Sequence, residues 1–353
     1  MKKINFIQDE ATPHNNIFIE GLVSKLGVDN VELYYSIEKS EQYSWEGDLS
    51  NAIKSSNIYG KKINIGLIWS FLRKSKQEDF FMVGWGNPTT KIIFLISSLL
   101  GFKLSMWFDY PNDKEKRSII SNFFRELFYF LLRRSNIKIY CVGKVTVNYF
   151  LKRRFDEKRL ENLPIQVELK EIEKKLNNDE LVFFTGSRLV KDKGYDILFE
   201  ALSLLKKRDG YIVRIVGVGP EKENLENQVN LLSLTERVEF LGWLSPEDYM
   251  NEIQRCDVFI HPARVDAYGG SAIALALGTP VIGSSKAGAV IECVIDGENG
   301  FVYSPEDRER LAHLINRFLI ERELVPRMSL TALKYAKKYN TEYWVDNFIR
   351  GLN

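Results

Sequence analysis

Cysteine and histidine are scarce in this sequence. Its three cysteines, Cys141, Cys256 and Cys293, are scattered through 353 residues. That separation fits neither a disulfide framework nor a paired-cysteine metal site, and it points to a reducing compartment. With three histidines, His14, His261 and His313, a histidine-built metal centre is not expected. No Asp-x-Asp pair occurs either. Long apolar runs are also missing. The most apolar stretch, Ile92 to Leu104, is interrupted by Ser97, Ser98, Gly101 and Lys103, short of the roughly 20 residues that span a bilayer. Met1-Lys2-Lys3 leads directly into Ile4-Asn5-Phe6-Ile7. Without an apolar core after the lysines no signal peptide is expected, and a cytoplasmic location follows. Charge of one sign does not dominate either. A formal charge of +2 argues against nucleic acid as a partner. Internal repeats and low-complexity segments are absent.

What is present suits two domains of an ordinary globular protein: 353 residues, 45% of them hydrophobic and 27% charged. Short strand-like segments alternate with helix-like ones. Ile4–Ile7, Val31–Tyr35, Phe80–Val83, Leu104–Phe108 and Ile137–Val142 read as strands. Ile17–Leu26, the stretch from Pro88 to Leu100, and Ser118–Arg134 read as helices. The alternation breaks at Glu161-Asn162-Leu163-Pro164, ahead of the charged run Lys170–Asn178. It resumes with strands at Leu181–Phe184, Tyr211–Val216, Val238–Leu241, Val258–His261, Pro280–Ile282 and Phe301–Tyr303. Such alternation implies two α/β domains with doubly wound parallel sheets. The expected division is 1–165 and 166–340, with a C-terminal helix over 341–353 returning to the first domain. That helix carries Tyr343, Trp344, Val345, Phe348 and Ile349 at helical spacing. In doubly wound domains ligands bind at the carboxyl ends of the strands, so the loops there carry the candidate chemistry.

Four loops stand out. The first, Phe184 to Gly194, joins a strand to a helix and contains Gly186, Arg188, Lys193 and Gly194. A guanidinium fork, a compact ammonium and the amides of a helix start can converge on a phosphate; a solvated basic turn is the plainer reading. The second, Val216-Gly217-Val218-Gly219-Pro220, has two glycines that would let a ligand approach the backbone. The third runs from His261 through Asp266, Tyr268, Gly269, Gly270 and Ser271 into a small-residue helix and then Gly278-Thr279-Pro280. Amides at that helix start can hold an anionic or hydroxyl-rich ligand, while Asp266 is either a ligand group or a turn acid. The fourth holds Glu292, a ligand contact or a surface acid, before Asp296-Gly297.

Taken in order, Gly186-x-Arg188-(x4)-Lys193-Gly194, Gly217-x-Gly219-Pro220, Val238–Gly242, Asp257–Pro262, Asp266-x2-Gly269, Gly278–Ile282 and Asp296-Gly297-x2-Gly300 resemble family 4 of the retaining glycosyltransferases, which have the GT-B fold. The resemblance covers about residues 180–305. It implies two Rossmann-like domains facing a central cleft. The first would take the acceptor, a glycan or a lipid-linked oligosaccharide, and the second a nucleotide-sugar donor, UDP-sugar favoured over GDP-sugar. Arg188 and Lys193 would neutralise the departing diphosphate in place of a metal, and Asp266 would place the donor sugar beside Tyr268 to Ser271. The family's Glu-x7-Glu pattern is incomplete here. Its first acid is Asp266, and its second, which holds the nucleotide ribose, falls on Ile273 or Ala274. That loss keeps a second possibility open, a catalytically degenerate relative that binds glycan or a partner without turnover.

In the first half, His14 and Asn15 would face the cleft at a helix start, and Asp109 would orient or deprotonate the acceptor hydroxyl; a turn acid before Pro111 is the plainer reading of Asp109. The segment Ile119–Arg134 carries Phe123, Phe124, Leu127, Phe128, Phe130, Leu131 and Leu132 and ends in Arg133-Arg134, with Lys152-Arg153-Arg154 farther on. It is either a core helix with a cationic end or a face for an anionic membrane surface, which would place the protein peripherally on the inner face of the cell membrane.

Overall fold

A computed structural model of the chain describes residues 3–10, 13–37, 56–58, 62–111, 118–167, 180–206, 209–266 and 268–352. The charged run 170–178 and Ala267 lie outside them. The chain divides into two compact units, one of Met1–Gln166 with Thr341–Asn353 and one of Val167–Asn340.

The first unit runs β1 (Ile4–Glu10), α1 (Pro13–Leu26), β2 (Val31–Ile37), β3 (Ser56–Ile58), α2 (Ile65–Lys74), β4 (Asp79–Val83), α3 (Pro88–Leu100), β5 (Ser105–Phe108), α4 (Ile119–Arg134), β6 (Lys138–Cys141), α5 (Gly143–Lys152) and β7 (Leu160–Asn162). All seven strands are parallel, in the order β3-β2-β1-β4-β5-β6-β7. The strands β3 and β7 and the helices α2 and α5 were not anticipated. Both strands are three-residue edge strands, too short for periodicity to register, and β7 occupies the segment expected to break the pattern. Its Leu160 and Asn162 pair with Ile139 and Cys141.

The helix boundaries have local causes. Asn64 caps α2 by accepting from the Leu67 amide, Asn87 caps α3 with Pro88 in its first turn, and Ser118 caps α4 through the Ser121 amide. Gly101, left-handed at φ 72°, ends α3. One sheet face, with Ile7, Phe80, Met82 and Met106, is covered by α2, α3 and α4. The other carries Phe6, Phe81 and Tyr140, against which Phe348 of the last helix packs at ring separations of 5.0–6.3 Å. Burying one such phenylalanine is worth about 1.5–3 kcal/mol, which explains why the C-terminal residues belong to the first unit.

The second unit runs β8 (Leu181–Gly186), α6 (Tyr195–Ser203), β9 (Tyr211–Val216), α7 (Lys222–Leu231), β10 (Val238–Gly242), α8 (Pro246–Arg255), β11 (Val258–His261), α9 (Gly270–Ala276), β12 (Val281–Ser284), α10 (Gly288–Cys293), β13 (Gly300–Tyr303), α11 (Arg308–Ile320) and α12 (Leu324–Lys338); α13 (Thr341–Leu352) then returns to the first unit. Its six parallel strands are ordered β10-β9-β8-β11-β12-β13. The strands are apolar on both faces, as a sheet covered on both sides requires. Phe183, Val213, Val258, Ile260 and Ile282 are all buried in one core with α6 and α11.

Candidate functional site

β8 pairs with β9 on one side and β11 on the other. The chain therefore winds away from β8 in one direction and later returns on its opposite side. That reversal makes the carboxyl ends of β8 and β11 the switch point of the sheet, the place where doubly wound domains bind ligands. Lys193 comes from the first loop and Asp266 from the second, and the structure joins them. Lys193 Nζ donates to Asp266 Oδ2 at 2.6 Å, with both side chains 15% exposed. The same Oδ2 meets His261 Nε2 at 2.9 Å, and His261 Nδ1 meets Ser271 Oγ at 2.6 Å. A carboxylate only accepts, so Nε2 carries the proton facing Asp266. Burial by itself would raise the Asp266 carboxyl. The hydrogen bond and charge of His261, with the Lys193 ammonium, outweigh it and hold the carboxyl below its usual range. Both bonds fall on Oδ2, and Oδ1 has no partner among the described residues.

The loops that carry this chain of side chains are fixed by their backbones. Gly194 is left-handed at φ 68°, and a Cβ there would fall on the Pro262 carbonyl oxygen. The Arg264 amide donates to the Asp192 carbonyl at 2.8 Å, and the Arg264 side chain grips both oxygens of Asp196 at 2.7 and 2.8 Å. Asp266 is itself braced by the loop after β12: its amide donates to Lys286 O and its carbonyl accepts from the Gly288 amide. Tyr195, its phenol pushed up to about 12 by burial, stays neutral and holds Ser187 at 2.8 Å. Gly194→Ala meets both a disfavoured dihedral and a backbone oxygen. It is expected to destabilise the protein by about 1–3 kcal/mol, read as a lower urea midpoint; an unchanged midpoint would mean that the two loops are free to part.

The glycines of the β9–α7 turn are required by a contact within the protein. A Cβ on Gly217 would strike the Ser187 carbonyl, and one on Gly219 the backbone of Leu189. They are glycines because the first loop lies on them, bonded through Ser187 N to Val216 O and Leu189 N to Val218 O. Gly186 and Gly270 likewise lie against the Tyr249 ring and hydroxyl. The Tyr268 side chain is buried with its hydroxyl on Cys293 Sγ at 3.4 Å. Ser271 is buried on His261. Gly269, at φ 144°, packs beside His261 and Asp266. Lys193 meets Asp266 directly, where separate partners were expected for the two.

The side chain of Arg188 is exposed, with no hydrogen bond or ion pair among the described residues. Glu292 is partly exposed on α10, and its carbonyl accepts from the Tyr335 hydroxyl. In the first unit Asn15, in the first turn of α1, donates to Gln8 Oε1 at 3.1 Å. The side chain of His14 lies outside the described residues. Asp109 is exposed after β5 and accepts from the amide of Tyr110 at 2.8 Å, the geometry of a turn acid. His261 was missed as a site residue. Its signal was available: a lone polar residue closing an apolar strand, five positions before the candidate acid. Among the described residues no group of three or more His, Cys, Asp or Glu is arranged to hold a metal ion.

Residues 167–335 match the model of the family Glycosyl transferases group 1. The chain is 30% identical over 267 residues to the capsular polysaccharide biosynthesis glycosyltransferase CapM of Staphylococcus aureus, spanning 74% of this chain but 65% of CapM. It is 31% identical over 167 residues to the GDP-mannose-dependent alpha-(1-6)-phosphatidylinositol monomannoside mannosyltransferase of Mycolicibacterium smegmatis, spanning 45% of this chain and 44% of that one. Among solved structures, HepE of Anabaena in complex with UDP-glucose is similar with a TM-score of 0.75 at 16% identity, covering 100% of this chain and 99% of that one. At that identity the likeness is one of fold. By sequence, then, residues 167–335 match the group 1 glycosyl transferases, and by fold the chain is a two-domain α/β protein of the GT-B type.

Proposed function

We propose that this chain is a retaining glycosyltransferase of family 4, working at the cytoplasmic face of a membrane. In this reading it transfers a sugar from a nucleotide-sugar donor to a glycan or lipid-linked oligosaccharide in surface polysaccharide assembly. The observation that carries the reading is the meeting of Lys193 and Asp266 at the carboxyl ends of β8 and β11, with Arg188 exposed on the same loop as Lys193. The second unit binds the donor and the first the acceptor. UDP-sugar is favoured, since HepE, similar over the whole chain, is described with UDP-glucose; the mycobacterial relative is named for GDP-mannose, so the base must be measured.

Each residue then has a task. Arg188 and Lys193 stabilise the negative charge that builds on the diphosphate as the glycosidic bond breaks, without a metal ion. An ammonium has three N–H donors, so Lys193 keeps Asp266 while offering another to a phosphate oxygen. Asp266 Oδ1 accepts from a hydroxyl of the donor sugar. His261, oriented by Ser271, keeps the carboxylate in place. Asp109 and Asn15 serve the acceptor side in the first unit.

A thermal-shift panel of UDP, GDP, CDP, ADP and dTDP, without and with a divalent metal, tests this. One nucleotide is expected to raise Tm without metal, by the equivalent of about 2.7 kcal/mol at a hundredfold excess over Kd, and to lose that effect in Arg188→Ala. No shift with any nucleotide would favour the binding-only relative, for which the missing acid at Ile273 or Ala274 speaks. A shift that appears only with metal would overturn the metal-free mechanism.

A further inference from the structure

α2, α3 and α4 lie side by side on one face of the first sheet, with α3 touching both neighbours. Each turns one apolar stripe inward: Leu67 and Phe71, Ile93 and Phe94, Phe128 and Leu132. Each also has a second apolar stripe on its outer side. On α4 these are Ile119, Ile120, Phe123, Phe124, Leu127 and Phe130, with Phe123 64% and Phe124 60% exposed. On α3 they are Leu95, Leu99 and Leu100, and on α2 Ile65, Trp69 and Leu72. A helix apolar on both sides is normally buried on both, and an exposed apolar area of this extent marks an interaction surface.

Charge identifies the occupant. The three helices hold six basic side chains, Arg73, Lys74, Lys91, Arg125, Arg133 and Arg134, against one acid, Glu126. Two of the cations sit on the apolar surface itself. The Arg134 guanidinium lies 4.4 Å from the centre of the exposed Phe130 ring, and that of Arg73 lies 5.6 Å from the Trp69 ring. The acid Glu126 is held by Arg153 at 3.2 Å and by Arg125 at 3.6 Å, and Lys74 pairs with Glu32 at 3.4 Å, which leaves Arg73, Lys91, Arg133 and Arg134 as the excess positive charge. A second copy docking symmetrically would set this positive face against itself. An anionic bilayer suits it on both counts, since its acyl region accepts the apolar stripe and its headgroups the guanidinium groups. No helix among the described residues is long and apolar enough to cross a membrane, so the contact is with the surface.

We infer that the outer face of α2, α3 and α4 docks flat on an anionic lipid bilayer. The inference rests on the membrane-face location proposed above and specifies which surface makes it. Sedimentation with vesicles of phosphatidylcholine alone, and of equal parts phosphatidylcholine and phosphatidylglycerol, tests it without donor or turnover, so a failure here leaves the catalytic reading standing. The protein is expected to bind the mixed vesicles at least about tenfold more tightly than the neutral ones. Phe123→Gln with Phe124→Gln is expected to lower that binding by about tenfold or more with Tm unchanged, and Arg73→Glu with Arg134→Glu to abolish the preference for phosphatidylglycerol. Should the phenylalanine variant lose its far-UV spectrum, Trp69→Gln with Leu99→Gln on the neighbouring helices replaces it. Three results would overturn the inference: no pelleting with mixed vesicles, wild-type binding by the apolar variants, or a solution dimer that those variants dissociate.

Discussion

Arg188→Ala is expected to lower kcat about 10²–10³-fold while the fold stays intact, the usual cost of removing one pre-positioned group that stabilises developing charge. The side chain is exposed and has no partner among the described residues, so its loss leaves no buried group unsatisfied. The loop it stands on is held by other atoms: Leu189, fully buried, and the bonds from Ser187 N and Leu189 N to the β9 turn. A change in Tm beyond about 2 °C would therefore be a surprise for a surface substitution. The split between constants matters as much as the size. An interaction made chiefly in the transition state lowers kcat and kcat/KM together, whereas one that only binds donor raises KM alone. Arg188→Lys keeps a charge but loses the planar fork, and partial recovery is expected from it. Turnover within about threefold of wild type in Arg188→Ala would remove the residue from the mechanism.

Asp266→Ala is expected to act on stability and turnover together. It strips the common partner from Lys193 and His261 in a largely buried site, leaving an ammonium without its carboxylate. Truncating one member of a buried pair costs about 3–5 kcal/mol. With both side chains 15% exposed, the lower end is expected, measured as a fall in the urea midpoint. The effect has a pH signature. The Asp266 carboxyl is held below its ordinary value of 3.8 in the folded protein. The ionised form, and with it the stabilisation, is thus fully present above that value and is lost as pH falls through the lower folded-state value. The stability gap between wild type and Asp266→Asn is expected to stay level from neutral pH down to about 4 and to shrink below it. A gap that stays level through the acid range would show that the carboxylate gains nothing from Lys193 and His261.

Much of this was legible in the chain before any coordinates. Apolar runs such as Val258–His261 and Tyr211–Val216 have the length and composition of buried parallel strands, and the structure has strands there. The edge strands β3 and β7 were not legible, because three residues make no pattern and their pairing depends on a neighbour far away in sequence. The glycines show a different limit. Gly217 and Gly219 announced a close approach, but only the structure shows that the backbone of Ser187 to Leu189 makes it. A residue's type declares what it is able to do, and its neighbours select one use.

By itself, the sequence determined the alternation of strands and helices, the loops that bear Arg188, Lys193 and Asp266, and the lack of any segment long and apolar enough to span a bilayer. These are local properties, set by periodicity, glycine and charge within a few residues. Only the tertiary structure decided that Lys193, 73 positions from Asp266, shares an oxygen of that carboxylate with His261. It alone decided that α2 and α3 extend the apolar face of α4. Both depend on the strand order, which places β11 beside β8 and sets three helices in one layer; that order follows from burial summed over the whole sheet and is written in no single stretch of the chain.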